Sequence, residues 1–188
     1  MTTVIKLGGS LLAVDALPAC LDAVVRQQGN IVLVPGGGGF ADQVREMQRQ
    51  YGFNDVAAHR MALLAMQQMA VLFNSIRPDF RLLDSVAKLK TATGITIWLP
   101  QVAELDAAGV ASSWDITSDS LAAWLAGQLR ADELLLVKSA TIAETASLAD
   151  LQQQQIVDAA FLEFAEKYSG RIKVLNKADF KSMGLDLI

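Results

Sequence analysis

Lys6, standing just ahead of Gly8, Gly9 and Ser10, is placed where a cation can meet a phosphate. The run Thr3 to Leu7 is β-branched and apolar, and a helical pattern follows the glycines, so the stretch reads as a strand, a phosphate-sized turn and a helix start. Backbone N–H groups that lack intrahelical partners point out of such a helix end, and glycines without a Cβ let an anion come close to them. A second glycine run, Gly36 to Gly39, follows the apolar stretch Ile31 to Val34 and leads into another helical pattern. Two such turns and a lysine suit phosphoryl transfer, which asks a protein for in-line placement and positive charge more than for covalent chemistry.

Better-known fingerprints do not fit. A P-loop places its lysine after the glycines, whereas Lys6 precedes them. The dinucleotide pattern G-x-G-x-x-G matches Gly36 to Gly39 only in part, since Phe40, Ala41 and Asp42 stand where its last glycine would fall. Either glycine loop alone is explained by a tight strand-to-helix turn. Both together, at the carboxyl ends of neighbouring strands, mark the edge where open α/β sheets bind ligands.

Alternating elements must hold these turns on one edge. Leu11 to Gln28 reads as a helix in which Pro18 predicts a kink or a restart, because a proline in a helix interior costs roughly 3 kcal/mol. Helices are expected over Phe40 to Gln50 and Asp55 to Ser75, the second with Ala58, Ala62, Met66, Met69 and Phe73 at helical spacing. Phe80 to Lys90 is expected to be helical, Ile95 to Leu99 a strand and Gln101 to Ala108 a short helix. Then come a helix through Asp119, Leu121 and Leu125 capped by Thr117 or Ser118, and a strand from Glu133 to Val137. Gln152 to Gln155 reads as loop or exposed helix, followed by a helix over Asp158 to Tyr168, a strand over Arg171 to Leu175 and a short helix over Ala178 to Met183. Apolar strands alternating with helices imply a mainly parallel central sheet in a three-layer α/β/α sandwich.

At 188 residues and 52% hydrophobic content the chain is expected to form one domain. A formal charge of −4 argues against a nucleic-acid surface, so an anionic substrate must be met by local cations. The one cysteine, Cys20, excludes an intrachain disulfide, and one histidine without a cysteine cluster excludes the usual zinc spacings. Glycines interrupt the first apolar run before it reaches bilayer length, so the chain is expected to be soluble and cytoplasmic, with no membrane partner. The methionine- and alanine-rich stripe of Asp55 to Ser75 exceeds what one small domain easily buries, which predicts a homo-oligomer.

His59 and Arg60 lie one turn into that helix. Two readings stand for them: a solvated pair on the polar face, or, for Arg60, a guanidinium that binds a substrate's anionic group. Asp119, as an acid in a first helical turn, is on its own explained by the helix dipole.

The runs IKLGGS, VPGGGGFAD and WDITSDSLAAWLA, followed by ADELLLVKS, resemble the amino acid kinase superfamily of acetylglutamate, glutamate, uridylate, isopentenyl phosphate and carbamate kinases. The likeness runs from Thr3 to Ser139, and the short length with AHRMALLAM and WDITSDS is most similar to the aminomethylfuran-methyl phosphate kinases of methanofuran biosynthesis. The resemblance implies that Lys6 contacts the transferring phosphoryl group and that Gly8, Gly9 and Ser10 hold nucleotide phosphates. It implies that Gly36, Gly37 and Gly38 contact the acceptor and the transition state, that Asp119 orients the catalytic lysines and that Asp115 helps to bind the acceptor. It further implies ATP as donor and a small phosphate or carboxylate acceptor; Mg2+ is implied by the chemistry, since no ligand motif for it is present.

The chain departs from that pattern in its last third. Where many relatives have a Thr-Asp pair after the strand, it has Val137, Lys138 and Ser139, which makes Lys138 a candidate second catalytic and phosphate-binding lysine. The later Gly-Gly-Met segment with its lysine has no equivalent. Three readings therefore stand side by side: the aminomethylfuran-type kinase; a glutamate, acetylglutamate or isopentenyl phosphate kinase; and a binding protein that has lost transfer.

Overall fold

The structure, a computed structural model, describes residues 1–9, 16–143 and 145–182. At its centre β1 (Thr2–Leu7) lies between β2 (Asn30–Pro35) and β5 (Glu133–Lys138). With β3 (Arg81–Leu83), β4 (Ile95–Trp98) and β6 (Arg171–Asn176) they form a six-stranded sheet in the order β3-β4-β2-β1-β5-β6, and every pairing is parallel. The strands are apolar on both faces because both faces are covered. Val4, Val32, Leu134 and Leu136 pack toward α6 (Ser118–Leu129), while Ile5, Leu33, Leu135 and Val137 pack with α1 (Leu17–Val25) and the second half of α3 (Asp55–Ile76). This is the expected α/β/α sandwich. The chain leaves β1 toward β2 on one side and later returns on the other at β5, so the carboxyl end of β1 is a topological switch point.

Local chemistry accounts for most of the boundaries. Pro18 stands in the first turn of α1, where its missing N–H is harmless, so the described part of the first helix starts where the proline predicts a restart. The expected residues 11–15 of that helix lie outside the described residues. In α2 (Gly38–Tyr51), Gly52 closes the helix in a left-handed conformation at φ 67°. Asn54 caps α3 by accepting the Ala57 N–H at 2.9 Å. By length and apolar composition α3 matches a membrane span, yet its buried face packs on α2 and on β2, β3 and β4, as a core helix does.

Two expected helices are corrected. Phe80 to Lys90 is not one helix, since Arg81–Leu83 pairs with Thr96–Trp98 as the edge strand β3, and α4 (Val86–Thr91) starts only after Ser85, whose side chain accepts the Lys88 N–H. Sheet pairing outweighs helix propensity there. The helix expected from Asp158 begins at Phe161 as α8 (Phe161–Glu166), because Asp158 is engaged elsewhere. The short helices α5 (Val102–Ala107), α7 (Leu148–Gln153) and α9 (Lys177–Ser182) complete the described elements.

Candidate active site

Lys6 is the fifth residue of β1 and shares a strand face with Val4, so its side chain is directed toward α6. In register it lies opposite Leu136, two residues before Lys138 at the end of β5. Both lysines converge on Asp119 in the first turn of α6: Lys6 Nζ is 2.9 Å from Oδ1 and Lys138 Nζ is 2.5 Å from Oδ2. All three side chains are almost wholly removed from solvent, at 6%, 12% and 5% exposure for Lys6, Lys138 and Asp119. Burial by itself would raise the Asp119 carboxyl, but the two ammonium groups hold it below the usual carboxylate range. Burial and the nearby Lys6 charge push Lys138 down to about 8. Two cations on one carboxylate leave one positive charge in a low-dielectric site, preorganised for an anion.

The start of α6 is held by a residue far along the chain. Thr117 is the N-cap, yet its hydroxyl accepts no N–H; it donates instead to Asp158 Oδ2 at 2.7 Å. The same carboxylate accepts the N–H of Thr117 at 2.9 Å and of Ser120 at 3.0 Å, and the Ser120 hydroxyl donates to its other oxygen. Asp158 thus does the capping expected of Thr117 or Ser118, and fixes the turn that carries Asp119.

The two glycine turns interlock backbone to backbone. A Cβ on Gly9 would stand 2.3 Å from the Cα and N of Gly38, so no other residue fits without moving a loop. Gly38 itself has φ 55°. The N-terminus of α2, at Gly37, has no side-chain cap, which leaves its first N–H groups for an anion. These glycines wall one side of a cavity of about 630 Å³ whose other walls are Leu63 and Met66 of α3, Trp114, Ile116 and Leu121. A second cavity of about 770 Å³, more polar, lies between Asp119, Lys138 and the 152–159 segment. The two share Arg45, Trp114 and Thr117. At that junction the Arg45 guanidinium lies 4.0 Å from the centroid of the Trp114 ring, and Trp114 Nε1 donates to Gln48 at 2.6 Å.

Of the expected site residues, Lys6, Asp119 and Lys138 meet directly, and Gly9, Gly36, Gly37 and Gly38 line the first cavity. Gly8 donates its N–H to the Val137 carbonyl at 3.3 Å, extending the β1–β5 pairing. Ser10 lies outside the described residues. Asp115 is exposed and accepts from the Ser113 hydroxyl at 3.2 Å; it is not on either cavity wall. Arg60 points outward to Asp106, 2.9 Å away in a half-exposed pair. His59 is not solvated beside it but buried, and it is His59 that reaches the first cavity. Sequence reasoning passed over Arg45, Trp114 and Asp158. Trp114 opens the WDITSDS run but has no chemical mark of its own, and nothing local marks Asp158, whereas a cation in the helix that follows a glycine loop, as Arg45 follows Gly39, is a usable signal.

A parallel α/β sheet carries paired lysines on a buried aspartate, set between a glycine-walled cleft and a polar one, an arrangement suited to binding an anion. The family model for the amino acid kinase family matches residues 1–141, and the chain belongs to that family. A curated relative, the [5-(aminomethyl)furan-3-yl]methyl phosphate kinase of Methanocaldococcus jannaschii, is 29% identical over 138 residues; the match covers 71% of this chain and spans 63% of the relative's length. Among solved structures, the uridylate kinase of Archaeoglobus fulgidus superposes with a TM-score of 0.69 at 16% identity, covering 98% of this chain and 96% of that one. The UMP kinase of Bacillus anthracis gives 0.67 at 15% identity, covering 98% and 92%. At such identities the superpositions show the fold.

Proposed function

We propose that the chain is an ATP-dependent kinase that transfers the γ-phosphoryl group to a small anionic acceptor, with an aminomethylfuran-methyl phosphate as that acceptor and its diphosphate as the product. The carrying observation is Asp119 held between Lys6 and Lys138 beside two abutting cavities. In this reading the nucleotide occupies the polar second cavity with its phosphates at Lys138, and the acceptor occupies the first. The phosphoryl group passes between them over Lys6, while the glycine N–H groups neutralise its equatorial oxygens. Asp119 takes no proton; it keeps both ammonium groups aimed. Lys138 then serves as the second lysine that relatives bring from a later segment. The substrate in the relative's name supports the choice of acceptor.

The described residues contain no group of His, Cys, Asp or Glu able to hold a metal, and the carboxylates nearest the lysines, Asp119 and Asp158, are already engaged. These residues offer no all-protein Mg2+ cage, so the nucleotide phosphates would carry the ion, and no step is assigned to it. The reading also makes the enzyme cytoplasmic and a homo-oligomer built through the outer face of α3, where Val56, Leu64 and Val71 stay exposed. Incubating purified protein with ATP and magnesium against the aminomethylfuran phosphate, uridine monophosphate, glutamate, acetylglutamate and isopentenyl phosphate tests the assignment. Preferred turnover of the first is expected; preference for another replaces the acceptor, and turnover of none defeats the kinase reading.

A further inference from the structure

His59 is the chain's one histidine, and only 5% of it is exposed. Its Nδ1 lies 3.1 Å from the backbone carbonyl oxygen of Ser113. A carbonyl oxygen can only accept, so Nδ1 carries the ring proton and Nε2 keeps a free lone pair. Nε2 has no hydrogen-bond partner among the described residues, and the residue forms part of the wall of the first cavity. Burial holds the imidazole below its usual pKa, opposed by the Ser113 bond and by the Asp106 charge, which keeps the ring neutral at pH 7. The same wall is apolar at Ala62, Leu63 and Met66 of its own helix and at Ile116 and Leu121, and polar at Asp42, Arg45, Thr117 and Ser118. Nε2 is not among the unpartnered side-chain atoms sealed from solvent, so its lone pair opens to the cavity and is free to accept from a bound molecule.

We infer that His59 sets acceptor specificity: its Nε2 accepts a hydrogen bond from an N–H or O–H group of the bound acceptor, selecting a small anion with an apolar ring and a donor substituent. This rests on the kinase reading above, and narrows it to acceptors that carry such a donor. A purely structural duty, tethering the loop that presents Trp114, uses only Nδ1. Asparagine at position 59 offers an N–H close to the place of Nδ1 and nothing in the place of Nε2, whereas glutamine offers an acceptor near Nε2. The two replacements therefore separate the duties.

With a single imidazole, nitrogen NMR of the 15N-labelled protein, freed of any histidine tag, reads the tautomer without assignment. The Nδ1–H form is expected in the free protein, and the Nε2–H form overturns the inference whether or not the protein is a kinase. On adding [5-(aminomethyl)furan-3-yl]methyl phosphate the Nε2 signal is expected to move, and to stay in place with the analogue bearing methyl for aminomethyl; no movement with the first compound overturns it. In turnover, wild type is expected to prefer the amine over the methyl analogue by roughly ten- to a hundredfold in kcat/KM, the range of a hydrogen bond to a charged donor. His59→Asn is expected to lose that preference and His59→Gln to keep most of it; an unchanged preference in His59→Asn overturns the inference. Should wild type turn over neither compound while the tautomer and the Nε2 response are as expected, the kinase reading falls and the cavity assignment stands.

Discussion

The two cavities that meet at Arg45, Trp114 and Thr117 are made from different kinds of structure. The first is walled by long helices, α2 of 14 and α3 of 22 residues, and by glycine backbone packed against glycine backbone. The second is walled by Lys138, α7 and the segment before α8, with α7 and α8 only 6 residues each. Those short helices cannot stabilise themselves by propensity alone. Buried Leu151, Val157 and Phe161 anchor them in the core, and polar side chains add to this: the Ser147 and Asp150 capping box starts α7, and Asp158 ties the next segment to α6. Packing shapes the first cavity, while packing and a few long-range hydrogen bonds together shape the second. On the proposed reading, substitutions beside the first should change which acceptor is taken, while those beside the second should change nucleotide affinity and stability together.

The largest effect belongs to neither cavity but to the charge between them. Lys6→Met is expected to lower kcat by roughly 10²–10³-fold, the loss typical of one preorganised group that acts in the transition state. Equilibrium binding of ATP and of acceptor should change little, so a mutant that binds poorly but turns over normally would remove Lys6 from the chemistry. Next in size is pH. Lys138 is a cation below its pKa of about 8 and neutral above it, so kcat/KM for ATP should fall roughly tenfold per unit on the alkaline side. Bound nucleotide phosphates favour the cation, and the same limb should lie at higher pH in kcat; Lys138→Arg should abolish the limb near 8, and a limb that survives belongs to another group.

Asp158→Ala is expected to be smaller and confined to the second cavity. Loss of the α6 cap should destabilise the protein by about 1–2 kcal/mol, read as a lowered Tm, and raise KM for ATP more than KM for the acceptor. Asp158→Asn, which keeps one accepting oxygen, should recover part of both; an acceptor-only defect would undo the contrast between the cavities. Smallest is Arg60→Ala. Its half-exposed pair with Asp106 is of the kind worth about 0–1 kcal/mol, and steady-state kinetics should stay within about twofold. A large rise in acceptor KM would mean that Arg60 swings into the site on binding.

The central strands and the glycine-bearing edge of the sheet were legible in the residues themselves, whereas edge strand β3 was not. Apolar strands such as Ile31 to Val34 are buried on both faces, and one or two helices between each pair of successive strands leave a parallel sheet as the arrangement that covers them. Lys6 and the glycine turns were legible for the same reason, since a strand followed by Gly-Gly places its own chemistry locally. Lys138 was legible only as a departure from a pattern; that it shares Asp119 with Lys6 follows from the β1–β5 register, which pairs residues from opposite ends of the chain.

Tertiary structure alone decided the rest. Helix periodicity placed His59 and Arg60 side by side but could not say which faces inward, because neighbouring residues in a helix differ by about 100° and the direction of the core is set by what α3 packs against. Arg81 to Leu83 became a strand because an open edge of β4 was available to pair with it, a fact absent from its own residues. Asp158 left its expected helix because four donors at the start of α6, far away in sequence, offered its carboxylate more than a helix terminus could. Local sequence encodes elements and turns through steric and hydrogen-bond rules that act over a few residues. The facing of side chains, and the charges and caps exchanged between elements, exist only once the sheet has assembled.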